Sequence, residues 1–147
     1  MSRLQLNIII VLEAGNQLSE GGAGIQTSPN AMRILDSMGL KDVFYKEATK
    51  NEGAVIRRYK DGKVLGKHRA NTLELCGYHN LSMHRADYQK VLYDAALEAN
   101  AHISFGRKVI SVDTSEPSLN LQDGSITTAD LMIAADGKSF VMPDSLI

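Results

Sequence analysis

This sequence is poor in the residues that small proteins use as anchors. It holds one cysteine, no tryptophan and three prolines in 147 residues. A lone cysteine, Cys76, excludes an internal disulfide and fits a reducing compartment, so the chain reads as cytoplasmic. No local feature marks a lowered pKa there, and Cys76 reads as a buried structural thiol. An excess of charge is missing too. Sixteen Lys and Arg against 17 Asp and Glu leave a formal charge of −1, which gives no overall footprint for nucleic acid or an anionic membrane. No apolar run approaches the roughly 18 residues of a membrane span. The N-terminus has Arg3 but no apolar stretch ending in a small-residue cleavage site, so it does not read as a signal peptide. His68, His79, His84 and His102 share no metal-ligand spacing with one another or with Cys76, and no metal site is assigned. A Gly-x-Ser-x-Gly elbow and a phosphate-loop motif are also absent.

What is present suits one soluble domain with a real core: 44% of the residues are apolar and 22% charged, both ordinary values. Two helices stand out. In SPNAMRILDSMG, Ser28 is the expected N-cap and Pro29 takes the first helical position, where its missing N–H costs nothing. Met32, Ile34, Leu35 and Met38 supply an apolar face, and Gly39 is the stop. The second helix is expected from about Ala86 to Asn100, with an apolar stripe of Tyr88, Val91, Leu92, Ala95, Ala96 and Ala99.

Strands fall into two groups. AVIRRY and KVLGKH flank Lys60-Asp61-Gly62 as a hairpin, and KVISVDTS, SLNLQ and SITTA form a meander with a tight turn at Asp123-Gly124. Ile8–Val11 and Leu131–Ala135 are continuously apolar and read as buried parallel strands. The expected class is α/β of mixed α+β character, with a parallel nucleus and an antiparallel subdomain.

Four stretches are candidates for binding chemistry. Glu13 ends the first apolar run, where a carboxylate accepts hydrogen bonds from the ribose of an adenine dinucleotide. Taken alone, it reads more readily as an exposed loop carboxylate. Gly21, Gly22 and Gly24 lie just ahead of a helix N-terminus, which suits an anionic or carbonyl-rich ligand. They let a flat ring approach the backbone; a flexible linker fits equally well. Arg85 follows the short strand Leu81 to His84 and precedes the long helix, well placed to grip a pyrophosphate with a forked contact. An ordinary surface arginine is the plainer reading of its position. Asp136-Gly137 closes the second apolar run, at the crevice where open α/β sheets bind ligands. A common Asp-Gly turn is the alternative.

In order, VLEAG, GGAGIQTSPNAMRILDSMGL, HRADYQKVLYDAA and LMIAADGKS resemble the FAD-dependent aromatic hydroxylases, the salicylate-hydroxylase-like flavoprotein monooxygenases. The resemblance runs from about Ile8 to Ser139. It implies a partial, Rossmann-like FAD- and NAD(P)-binding domain over 1–147. Residues 1–52 and 81–147 would form the nucleotide-binding part with its meander. Residues 53–80, taken from residue 53 to Cys76 in the first instance, would begin the sheet that roofs the substrate. It also implies that Glu13 binds the adenosine ribose of FAD, that Gly22, Gly24 and Ile25 pass beside the flavin, and that Arg85 contacts the ribityl-diphosphate region. Asp136 and Gly137 would serve FAD and the nicotinamide donor. NAD(P)H would reduce the flavin, and O₂ would then hydroxylate a small phenolate-like substrate. The protein would contribute position and the exclusion of water. No catalytic residue and no oligomeric state is assigned from the sequence.

The chain also departs from that pattern. The strand, Gly-x-Gly-x-x-Gly turn and helix that precede the acidic strand are missing between Val11 and Leu12 or nearby, and only a few residues separate the start of the strand from Glu13, where a βαβ unit needs about 30. FVMPDSLI, after Ser139, does not read as the family's continuation. A truncated, weakly FAD-binding or inactive form is therefore expected, with Ile8 to Val11 left as exposed apolar surface. A non-catalytic remnant that binds a partner is the alternative.

Overall fold

The computed structural model describes residues 8–18, 21–69, 71–113, 115–135 and 137. The chain divides into two units, Ser19–Ala96 and a second made of Met1–Leu18 with Leu97–Ile147. It is mixed α/β, as expected, with four small sheets among the described residues.

The unit Ser19–Ala96 begins with strand β2 (Gly24–Thr27), helix α1 (Pro29–Ser37), helix α2 (Lys41–Glu47) and strand β3 (Thr49–Lys50). Ser28 caps α1 through its carbonyl, which accepts from Met32 N–H at 2.9 Å, while its hydroxyl makes no cap bond. Gly39 ends the helix at φ +80°, and Leu40 N–H returns to the Leu35 carbonyl at 2.9 Å. That left-handed geometry is open to glycine. Strand β6 (Leu81–His84) pairs antiparallel with both β2 and β3, and helix α4 (Arg85–Glu98) follows it without a break. Met32, Leu35, Phe44, Leu81 and Met83 form the core, with Ile25, Tyr88 and Val91 packed against it. The expected apolar faces are therefore only partly used: Ile34 of α1, Met38 just after it, and Leu92 of α4 stay exposed.

Strands β4 (Gly53–Arg57) and β5 (Val64–Arg69) make the expected hairpin. Its turn is held by Lys63 N–H on Asp61 Oδ1 at 3.1 Å, with Gly62 at φ +71°. After it, helix α3 (Thr72–Cys76) has no buried residue. Cys76 ends this helix and is exposed, so it is not the buried thiol that the sequence suggests.

The second unit holds β1 (Ile9–Leu12), β7 (Ala101–Ser104), and the antiparallel meander β8 (Val109–Asp113), β9 (Ser118–Leu121) and β10 (Ile126–Thr128). β1 pairs parallel with β7, so the expected parallel nucleus exists, but as two strands. Ile8, Ile9, Ile10 and Val11 are 70%, 42%, 54% and 42% exposed. The first apolar run is thus a strand but not a buried one, and it is the bare apolar surface expected from the missing neighbours. Leu131–Ala135 is not a strand, and Ile133 is 80% exposed. An apolar run becomes a parallel strand only where a neighbour offers its edge and both faces are covered. No helix among the described residues is long and apolar enough to cross a membrane.

The meander's Asp-Gly turn is the best-defined electrostatic feature of this unit. Asp123 Oδ1 accepts from the Ser125 hydroxyl at 2.5 Å and from Ser125 N–H at 2.9 Å, and Arg107 pairs with the other oxygen. These donors, Ser125 first, hold the Asp123 carboxyl below the usual carboxylate range. Asp113 is held down in the same way by Ser115. A lowered pKa in the folded state means that the stabilisation is present above the unfolded value of about 3.9 and is lost as pH falls through the folded value. Carboxyl NMR titration should therefore place the Asp123 midpoint below about 3.9, and Ser125→Ala should raise it. A midpoint at or above that value contradicts the geometry.

Candidate functional site

The glycine stretch and Arg85 meet where β2 runs beside β6. Gly24 lies opposite His84, and Ile25 opposite Met83. Arg85 N–H donates to the Ala23 carbonyl at 3.2 Å, extending the ladder into the first residue of α4. His84 Nδ1 accepts from Ala86 N–H at 3.2 Å, so a side chain satisfies one free donor at the start of that helix. Gly22 adopts φ +150°, and a Cβ placed on it would stand 2.9 Å from Arg85 Cβ and 3.1 Å from Arg85 Cδ. The bare backbone of Gly22 therefore lies directly against the stem of Arg85, which a side chain at residue 22 would displace. Gly24 is different: its hypothetical Cβ meets only the Met83 carbonyl oxygen, at 3.9 Å. Ile25 is half-buried and turns toward the core.

The glycines do not abut the helix as the sequence suggests. The four residues of β2 separate Gly22 from α1, so the N-terminus of α1 is not the element they serve. What they border is the β6–α4 junction with its arginine. Arg85 is exposed and has no ion-pair partner among the described residues. A guanidinium carried on a side chain whose stem is held at a strand-to-helix junction can make a forked contact to a phosphate or several contacts to a polyol.

Glu13 stands in the other unit, directly after the carboxyl end of β1. Its backbone is fixed on both sides, N–H to the Ser104 carbonyl and C=O from Arg107 N–H, each at 2.9 Å. Its carboxylate Oε1 accepts from Gly15 N–H at 2.7 Å. A carboxylate offers about four acceptor positions, so this bond orients the group while leaving capacity for hydroxyl donors. Gly15 is a residue that motif reading passes over. Its signal is a glycine two positions after a strand-end acid, and a Cβ there would lie 3.2 Å from Glu13 Oε1. Gly137 is exposed at φ +70° with open space around it. Asp136 lies outside the described residues.

The structure thus brings Gly22, Gly24, Ile25 and Arg85 together in one unit. Glu13 and Gly137 belong to the other. A family model described as an FAD binding domain matches residues 8–144. That match continues past Ser139, so the residues up to 144 fall inside the family pattern, contrary to the reading of FVMPDSLI. The chain is 32% identical over 141 residues to 3-amino-4-hydroxybenzoate 2-monooxygenase of Streptomyces cremeus, covering 93% of this chain and 35% of that protein. It is 27% identical to 6-hydroxynicotinate 3-monooxygenase of Bordetella bronchiseptica, over all of this chain and 39% of that one. Among solved structures, the tetrameric form of 2-methyl-3-hydroxypyridine-5-carboxylic acid oxygenase superposes with a TM-score of 0.76 at 25% identity, over 91% of this chain and 34% of its own. Klebsiella pneumoniae HpxO, complexed with FAD and uric acid, shares the fold with a TM-score of 0.70 at 22% identity, over 88% of this chain and 39% of its own. The chain spans about a third of the length of the relatives it matches.

Proposed function

The chain belongs to the FAD-binding domain family, and from that premise we propose that it carries part of the cofactor-holding half of an NAD(P)H- and O₂-dependent monooxygenase of a small aromatic ring. The observation that carries this reading is the contact of Gly22 with Arg85, a strip of backbone that a single Cβ would fill, beside an unpaired guanidinium. That arrangement fits the flavin side of FAD, with Arg85 toward the ribityl-diphosphate and Gly22, Gly24 and Ile25 beside the ring. Glu13, already oriented by Gly15, fits the adenosine ribose. Asp136 and Gly137 complete the assignment by family pattern. When bound, FAD supplies the redox chemistry, taking hydride from NAD(P)H and activating O₂. The relatives' printed names, which specify hydroxybenzoate, hydroxynicotinate and hydroxypyridine rings, support an aromatic substrate. We read residues 53–80 as the start of the sheet that covers it, within one FAD-binding domain. A lone cysteine supports the cytoplasm as its compartment.

These residues bind and orient; the diphosphate itself needs more. Strong pyrophosphate binding rests on a glycine-rich turn feeding a helix N-terminus. This sequence runs from β1 straight into Glu13 with no Gly-x-Gly-x-x-Gly. The chain by itself is therefore a weak FAD binder and an impaired hydroxylase. Purified protein should carry well under one FAD per chain, and added FAD should titrate weakly by flavin fluorescence. Arg85→Ala should weaken that residual affinity by about tenfold or more, the loss of a charge-assisted contact worth roughly 1.5–3 kcal/mol. A yellow protein with near-stoichiometric flavin overturns the weak binding. Unchanged affinity in Arg85→Ala overturns the role of Arg85.

A further inference from the structure

The near-neutral charge of the chain hides two modules of opposite sign whose charged residues are exposed. Residues 53–69, the β4–β5 hairpin, carry Arg57, Arg58, Lys60, Lys63, Lys67 and Arg69 against the single acid Asp61. Residues 109–130, the β8–β10 meander, carry Asp113, Glu116, Asp123 and Asp130 and no Lys or Arg. The hairpin is a sheet of two strands whose charged residues are all exposed. Asp61 is already engaged by Arg58 at 3.5 Å. Lys60, Lys63, Lys67 and Arg69 have no ion-pair partner among the described residues.

Register sorts the hairpin into two faces. Cross-strand partners share a face, so Val55 with Lys67 and Gly53 with Arg69 form a basic one. Ala54 with His68 and Ile56 with Gly66 form the other. On the meander, Asp113 and Asp123 are occupied by Ser115 and by Ser125 with Arg107. Glu116 and Asp130 have no side-chain partner among the described residues, and both line an open cavity of about 650 Å³ with Pro117, Thr128 and Ala129. Two carboxylates over walls of Pro117 and Ala129 suit a lysine or arginine, whose methylene stem lies on apolar surface while its head meets the charge.

We propose that the basic face of the β4–β5 hairpin docks on the Glu116–Asp130 cavity of a second copy of this chain. The complementarity is present on the chain itself, which is why a second copy is the occupant rather than another acidic partner. It does not depend on flavin binding. The contact is heterologous, hairpin to meander, so each copy presents one of each surface and association proceeds head to tail rather than stopping at a symmetric dimer. It is electrostatic, so it depends steeply on salt.

The test is the mass of the full chain by sedimentation at about 0.01 M and about 1 M ionic strength, where the Debye length is about 30 Å and about 3 Å. At low salt the average mass should climb above 16.0 kDa continuously with concentration, and at high salt it should return to 16.0 kDa. A variant with Lys67→Gln and Arg69→Gln should remain monomeric alone, as should one with Glu116→Gln and Asp130→Asn. Mixed, they retain one intact hairpin and one intact cavity, and should form a 1:1 dimer that grows no further. Formation of that dimer also shows that both variants are folded. Wild-type protein that stays at 16.0 kDa at low salt overturns the proposal. So does association that persists at high salt, which would point to the apolar surface of β1, or a mixture that fails to pair while both variants keep wild-type circular dichroism.

Discussion

Phe44→Ala is expected to cost about 3–5 kcal/mol of stability, the usual range for emptying a fully buried aromatic site. Against a typical total of about 5–15 kcal/mol, that is a large share. Phe44 is 0% exposed on α2, and its ring meets Tyr88 edge-on with centroids 5.1 Å apart. The core it belongs to has five buried hydrophobics, so few neighbours can collapse into the space left behind. Tyr88 lies in the first turn of α4, three residues beyond Arg85, so the loss also loosens the helix end that carries the arginine. Urea unfolding followed by circular dichroism measures the effect. Met32→Leu, a volume-conserving change at an equally buried site, should cost less than about 1.5 kcal/mol. Ile133→Ala, on exposed surface, should stay within about 0.5 kcal/mol. A Phe44→Ala cost no larger than that of Ile133→Ala would mean that this cluster is not the seat of stability.

The parts of the fold that the sequence showed are those governed by local chemistry. Pro29 with Gly39 bounded α1, Asp61-Gly62 and Asp123-Gly124 set both tight turns, and Arg85 sat at a strand-to-helix junction as its neighbours implied. What failed was context. Ile8–Val11 and Leu131–Ala135 have equally apolar sequences, yet one is a strand and the other is not. The difference is whether β7 lies alongside, which no property of the run itself records. The short helices α2 and α3 escaped notice because seven and five residues are too few to display a helical period. Cys76 was misplaced for the same reason, being at the end of α3. In the site, motif order found Gly22 and Arg85 but not their mutual contact, because sixty-odd residues of chain separate them and only the β2–β6 pairing closes that distance. Gly15 gives no motif signal because its part is played by a backbone N–H, which every residue but proline carries; only the 3.2 Å from its Cβ position to Glu13 Oε1 marks it as a glycine site.

Gly22→Ala and Gly24→Ala, two residues apart in one strip of backbone, should therefore behave differently. At residue 22 the added Cβ meets Arg85 Cβ at 2.9 Å, and φ is +150°. Arg85 Cβ is fixed by the helix backbone, so relief by rotating a flexible side-chain end is not available; the Gly22 segment or the start of α4 must move. Strain of this kind costs about 1–3 kcal/mol, and it bears on the 3.2 Å bond from Arg85 N–H to the Ala23 carbonyl. At residue 24 the new methyl finds its nearest atom 3.9 Å away, an ordinary contact. An alanine also loses less backbone entropy on folding than glycine, so Gly24→Ala should leave stability unchanged or raise it by up to about 1 kcal/mol. Flavin binding should fall in both variants, from different causes. On the proposed assignment, Gly22→Ala should weaken it by moving Arg85, whereas Gly24→Ala should weaken it with the protein intact, because the methyl would occupy space that the proposed binding strip leaves to the ring. Denaturation midpoints and FAD fluorescence titrations on the two variants separate these effects. Equal stability losses would overturn the Gly22–Arg85 contact, and a Gly24→Ala chain with unaltered FAD affinity would remove Gly24 from the binding strip.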